Sequence, residues 1–211
     1  MPTDTETPPE DYVALFSRLS KTWNDAAITN NYKAMQKLRR EARKEPLRAG
    51  LRFTLPLKIP AQNPNSGSRP VPFVSTTEPA TLELVEALQT GVDKTSQIWT
   101  ARVMETPETV LVMKIVQLSM CVNPDLDHFF WGDWEYPPDF APREAWVYAR
   151  LRVLQGLYVP YFFGIHKVST PSKETAGVLV LEYIPGQTIE SFCQAEALDG
   201  VFISVRLSCL S

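Results

Sequence analysis

Lys114 is the side chain with the strongest claim to chemistry in this sequence. It stands in Val110-Leu111-Val112-Met113-Lys114-Ile115, an apolar and β-branched run. An ammonium among such neighbours is costly unless its charge is paired. Lys114 therefore either meets an anion or points to water from an edge strand. A second cationic group, Lys37, Arg39, Arg40, Arg43 and Lys44, falls on one face of a predicted helix. Such a run is either a solvated helix face or a patch for phosphate or acidic groups. Gly91 suits the tip of a hairpin turn. Glu144 lies near a predicted helix N-terminus, where the helix dipole favours a carboxylate. His128 and His166 are remote from any cysteine pair, so no zinc site is indicated. Cys121, Cys193 and Cys209 are odd in number and form no Cys-x-x-Cys motif. They fit a reduced, intracellular protein, in cytoplasm or nucleus, better than a disulfide framework.

The elements that must position these groups follow from periodicity. Residues 11–45 predict helix: Tyr12, Leu15, Phe16, Leu19 and Trp23 share one face, and Tyr32, Met35, Leu38 and Ala42 form a second stripe that Pro46 ends. Six prolines in residues 56–80 (Pro56, Pro60, Pro64, Pro70, Pro72, Pro79) predict an extended linker and a domain boundary. Strands are predicted at 82–88, 97–103 and 109–118, with Pro107 in the turn before the third. Residues 121–142 form an aromatic, proline-rich insertion with Phe129, Phe130, Trp131, Trp134 and Tyr136. Residues 143–155 predict a helix with Trp146, Val147, Ala149, Leu151 and Leu154 facing the sheet, ended at Gly156. Strands at 158–168 and 178–183 flank a polar hairpin loop, and Thr188 to Ala197 predicts a short helix.

This order and these residues resemble the N-terminal lobe of protein kinases, most closely the divergent kinase-like proteins of fungi, over residues 81–198. Four places carry the resemblance. Gly91 takes the first position of the G-x-G-x-x-G-x-V loop and Ile98 its valine, with Asp93 and Ser96 in place of the other glycines. Lys114 matches the V-A-I-K lysine, with Val112 for the alanine. Glu144 matches the helix glutamate that pairs with this lysine, followed by Tyr148-Ala149-Arg150-Leu151-Arg152-Val153-Leu154-Gln155-Gly156 and Val159-Pro160-Tyr161-Phe162-Phe163-Gly164. Val178-Leu179-Val180-Leu181-Glu182-Tyr183-Ile184-Pro185-Gly186 resembles the fifth strand and hinge. The resemblance implies an α+β fold: a five-stranded antiparallel kinase-type small lobe with one regulatory helix, preceded by a helical N-terminal region. The expected organisation is a helical region over 1–50, a linker over 51–80, the lobe and hinge over 81–198, and an atypical tail over 199–211.

The resemblance also implies a site. Lys114 would hold the ATP phosphates and Glu144 would orient it. Ile98 and Val112 would stand beside the adenine, Val112 crowding it as a bulkier replacement for the family's alanine; Leu181 would act as gatekeeper, and the backbone of Glu182 and Ile184 would meet the adenine edge. Phosphoryl transfer further needs a catalytic-loop aspartate and metal-binding Asn and Asp. His166 is followed by Lys167-Val168 rather than Arg-Asp, and Asp139-Phe140-Ala141 precedes the helix, the wrong order for a DFG motif. The chain is therefore expected to be a truncated product or gene fragment, catalytically incompetent, with weak ATP binding and no Mg²⁺. The alternative is a non-catalytic interaction or scaffold module with a protein partner, using the aromatic insertion. A net charge of −3 argues against a nucleic-acid or anionic-membrane partner, and no apolar run reaches bilayer-spanning length.

Overall fold

The computed structural model describes residues 25–61, 67–72, 79–92, 94, 96–120 and 140–186. Residues 11–24 of the predicted first helix, Asp93, residues 121–139 of the aromatic insertion, the predicted helix at 188–197 and the tail lie outside the described residues.

Six strands form one antiparallel sheet: β1 (Arg52–Leu55), β2 (Ala80–Gln89), β3 (Gln97–Val103), β4 (Thr106–Val116), β5 (Phe162–Ser169) and β6 (Thr175–Glu182). Their spatial order is β1-β2-β3-β4-β6-β5. Strict alternation explains which residues turn inward, since successive side chains point to opposite faces. In β4, Leu111, Met113 and Ile115 are fully buried while Val112 and Lys114 are half-buried on the other face. The inward set joins Phe53, Leu55, Leu82, Leu84, Tyr161 and Phe163 in one core. Enclosing each large side chain contributes about 1.5–3 kcal/mol relative to exposure. The chain beyond β1 reaches the opposite edge strand, where Lys58 N donates to Phe163 O at 2.8 Å. The sheet is thus a nearly closed barrel. Two register shifts in the β2–β3 pairing, after Leu84 and after Ala87, add the local twist that such curvature needs.

Two α-helices accompany the sheet among the described residues, α1 (Asp25–Lys44) and α2 (Phe140–Arg150). Helix α1 lies on a single 3₁₀ turn, Leu118–Met120, at the end of β4.

The expected fold needs correction. A five-stranded kinase-type small lobe behind a helical N-terminal region is not what the chain forms. It forms a six-stranded, nearly closed antiparallel barrel, and α1 packs directly on the end of β4. The sixth strand comes from the stretch whose prolines suggested a linker. Arg52–Leu55 lies just before those prolines, and its exposed-buried alternation sends Phe53 and Leu55 into the core. Pro107 sits within β4, with the turn at Met104 and Glu105. In α2, Trp146 and Val147 are exposed, at 47% and 43%, rather than packed on the sheet; Ala141 and Ala145 are buried instead.

Candidate functional site

The outer face of the sheet carries Lys114. Cross-strand register places Ile98 of β3 and Leu179 of β6 opposite it, and Val112 opposite Leu181. Paired residues share a face, so Ile98, Val112, Leu181 and Lys114 converge there. Leu181 is only 7% exposed, whereas Ile98 and Val112 are half-buried.

Helix α2 covers one end of this face. Ala141, Ala145 and Tyr148 recur at helical spacing and pack with Val116, Leu179, Phe162 and Ile165. Close approach depends on small groups. A Cβ on Gly177 of β6 would lie 3.0 Å from that of Ala141. Tyr148 stacks on Phe162, with ring centroids 5.2 Å apart and planes 18° apart. Fixed in this way, α2 brings Glu144 Oε2 to 2.5 Å from Lys114 Nζ. The two side chains are 25% and 28% exposed, so the pair is largely but not fully shielded from water. Burial, and then the charge of Glu144, raises the Tyr148 hydroxyl above the ordinary tyrosine pKa of 10.0. Outward from this packing, the Arg150 guanidinium lies 5.0 Å from the centre of the Trp146 ring, a cation–π contact.

Gly91 occupies the β2–β3 loop at φ +115°, a conformation that favours glycine. The neck of that loop is closed by Gln89 Nε2 donating to Ser96 O at 2.9 Å. Ser96, which stands at a glycine position of the kinase pattern, is buried. At the other end of the face, Glu182 N donates to Tyr161 O at 2.8 Å. The carboxylate of Glu182 turns into the mouth of the barrel rather than toward Lys114. Tyr183 and Ile184 beyond it are 36% and 44% exposed.

Three charged residues matter to this arrangement that sequence patterns did not single out for their role. Arg69 forks onto Glu182, Nε to Oε1 and Nη2 to Oε2, both at 2.9 Å. Glu174, 4% exposed, accepts from Ser119 N at 2.9 Å and Ser119 Oγ at 2.5 Å, and from Gln117 Nε2 at 3.4 Å. Gln97 in turn donates to Gln117 Oε1. Arg39 is 5% exposed and donates from Nε to Ser119 O at 2.8 Å. The basic run of α1 is therefore not uniformly solvated: Arg39 shares the buried stripe with Ala42 while Lys37, Arg40, Arg43 and Lys44 are exposed. Its place one residue beyond Leu38 on the apolar stripe was the available signal. Arg69 and Glu174 sit in Ser- and Pro-bearing loops with no periodic signal.

Among the described residues no group of three or more His, Cys, Asp or Glu could hold a metal ion, and no helix is long and apolar enough to cross a membrane. The arrangement offers a lysine oriented by a carboxylate on an apolar sheet face, which is a means of holding an anion whose other end is flat and apolar. No family model matches the chain, and a search of curated proteins finds no match.

Proposed function

We propose that this chain binds an adenine nucleotide on the face around Lys114, in the manner of a protein-kinase-like ATP site, and binds it without transferring its phosphoryl group. One observation carries the proposal: the Lys114–Glu144 pair at 2.5 Å, made by residues 30 positions apart in sequence. Glu144 takes one of the three ammonium donors, leaving two for phosphate oxygens. Ile98, Val112 and Leu181 supply an apolar wall beside it, suited to one face of a purine. ATP supplies the charge that the ammonium meets; the chain's contribution is orientation and an apolar surface. Transfer is left out because no stretch of the sequence matches the base and metal-binding carboxylates it requires.

The test is thermal unfolding of the full chain with ATP and Mg²⁺. Ligand at 100 times its Kd stabilises by about 2.7 kcal/mol, or roughly 5–10 °C for a chain of this size. The shift should vanish in Lys114→Ala. No shift at millimolar ATP would remove the proposal. A second reading, a non-catalytic interaction module, is favoured by the exposure of Trp146, Val147 and Tyr158, the last at 83%. It predicts no nucleotide shift, together with loss of a captured protein partner in Trp146→Ala at unchanged stability.

A further inference from the structure

Strand β6 ends on Glu182, which is 6% exposed. The segment 67–72 lies across the mouth of the barrel and lays the Arg69 guanidinium on this carboxylate through two parallel bonds of 2.9 Å. The same guanidinium donates to Leu157 O and Val159 O, each at 3.3 Å. Tyr161 N donates to Glu182 Oε2 at 3.0 Å, and the Tyr161 hydroxyl donates to Arg69 O at 2.7 Å. Arg69 N donates to Gly156 O at 2.8 Å. One side chain thus ties together the 67–72 segment, the turn before β5 and the last residue of β6. A carboxylate this enclosed depends on its partner, and only a planar fork satisfies both oxygens together. The tie also sits at one end of the candidate site. Leu179 is opposite Lys114, and Glu182 is three residues further along β6, about 10 Å by strand rise, a separation that an extended nucleotide can bridge.

We propose that Arg69 is a positioning residue for the nucleotide base: through Glu182 it fixes the backbone of residues 182–184, and so governs recognition of the adenine while leaving phosphate binding at Lys114 unaffected. This rests on the nucleotide-binding reading above. The geometry separates the two functions. Lys114 and Glu144 are held by β4 and α2, whereas the Arg69 fork touches neither element.

The experiment is calorimetric titration of the full chain with two probes, ATP and inorganic tripolyphosphate, each with Mg²⁺. Arg69→Gln should weaken ATP about tenfold, in the range of typical coupling between sites, and leave tripolyphosphate within about twofold. Arg69→Lys, which keeps the charge and loses the fork, should recover only part of the loss. Equal weakening of both probes would make Arg69 a general support of the fold and overturn the assignment, as would unchanged ATP affinity. If the wild-type chain binds neither probe, the nucleotide site itself fails, and the positioning role with it; that outcome is distinct from the first two. Hydrogen exchange on the wild-type chain covers the case in which the variants do not fold. ATP, and not tripolyphosphate, should slow exchange at residues 67–69 together with 182–184. Protection at 182–184 alone would overturn the proposal.

Discussion

Breaking the Lys114–Glu144 pair from each side, and then from both, measures whether it is a coupled unit. At 2.5 Å, the bare attraction of two unit charges is about 1.7 kcal/mol at the dielectric of water and roughly 7 kcal/mol at an effective value of 20. About a quarter of each side chain is exposed, so the pair lies between these limits, and desolvation of both charges offsets much of the attraction. A net coupling of about 1–2 kcal/mol follows, above the roughly 0.2–1 kcal/mol of exposed pairs and below the loss from breaking a fully buried one. Lys114→Met leaves Glu144 unpaired beside the apolar packing of α2, and Glu144→Leu leaves the ammonium unpaired among Ile98, Val112 and Leu179. Each should lower stability in urea unfolding. The double variant should recover about 1–2 kcal/mol relative to the sum of the singles, because two apolar side chains need no partner. Strict additivity would refute the pairing, and with it the idea that Glu144 orients Lys114. Glu144→Leu alone should also bring the Tyr148 ionisation down toward its ordinary value, part of its elevation being due to Glu144.

Three further outcomes follow from the same geometry. Gly156 has φ +77°, and a Cβ there would overlap the Tyr161 ring, whereas Gly91 at φ +115° has open space around it; Gly156→Ala should lose about 2–4 kcal/mol in urea unfolding, and Gly91→Ala about 1–2 kcal/mol from backbone strain alone. Phe53→Ala should lose about 3–5 kcal/mol, as expected for a core strand, where a linker position would change by about 0.5 kcal/mol or less. Stability should fall at both pH extremes. Burial lowers the His166 pKa below its ordinary 6.5, with a nearby Lys58 adding to the effect against a backbone hydrogen bond at Phe163, so the unfolded chain binds the extra proton first and stability declines as pH drops below about 6.5. Tyr148 titrates above its unfolded value of 10.0, so its contribution is intact below pH 10 and is lost as pH rises beyond it. His166→Gln should flatten the acid limb and Tyr148→Phe the alkaline one, each read from melting temperature against pH.

What could be read from sequence was whatever depends on local period. Gln97–Val103 is a strand with the boundaries expected from its apolar residues, and β4 and β6 fall within a few residues of expectation. The strand at Arg52–Leu55 was hidden because four residues carry too short a pattern, and the six prolines that follow dominate the composition. Proline marks loops reliably, yet it does not say that a loop is free of the core. Pro70 and Pro72 directly follow Arg69, whose guanidinium is anchored at the barrel mouth. For α2, Trp146 and Val147 suggested the buried face, but the contact is made by Ala141, close to Gly177, and by Ala145 and Tyr148. Close approach selects small residues at its centre, so the size of Trp146 and Val147 was no guide to that face. The convergence of Ile98, Val112, Lys114 and Leu181 rests on register between three strands, which no single segment contains.

The two buried glutamates show why the site can sit where it does. Glu174 immediately precedes β6 and Glu182 ends it, and both are almost fully enclosed. Each binds a segment that arrives from elsewhere in the chain: Glu174 takes the turn after β4, through Ser119 and Gln117, and Glu182 takes Arg69. Arg39 then joins α1 to the same turn through Ser119 O. Strand β6 is the partner of β4 along its length, so these pins fix the ladder at both ends. Between them the ladder is apolar and fully bonded, and Lys114 is the one charged side chain it carries. Lys114 itself is held in the middle of the ladder by α2, which presses on β6 at Gly177 and carries Glu144 to the ammonium. The carboxylates at the ends of β6 therefore place the segments that arrive there, since packing alone is tolerant of small slips and bidentate hydrogen bonds are not.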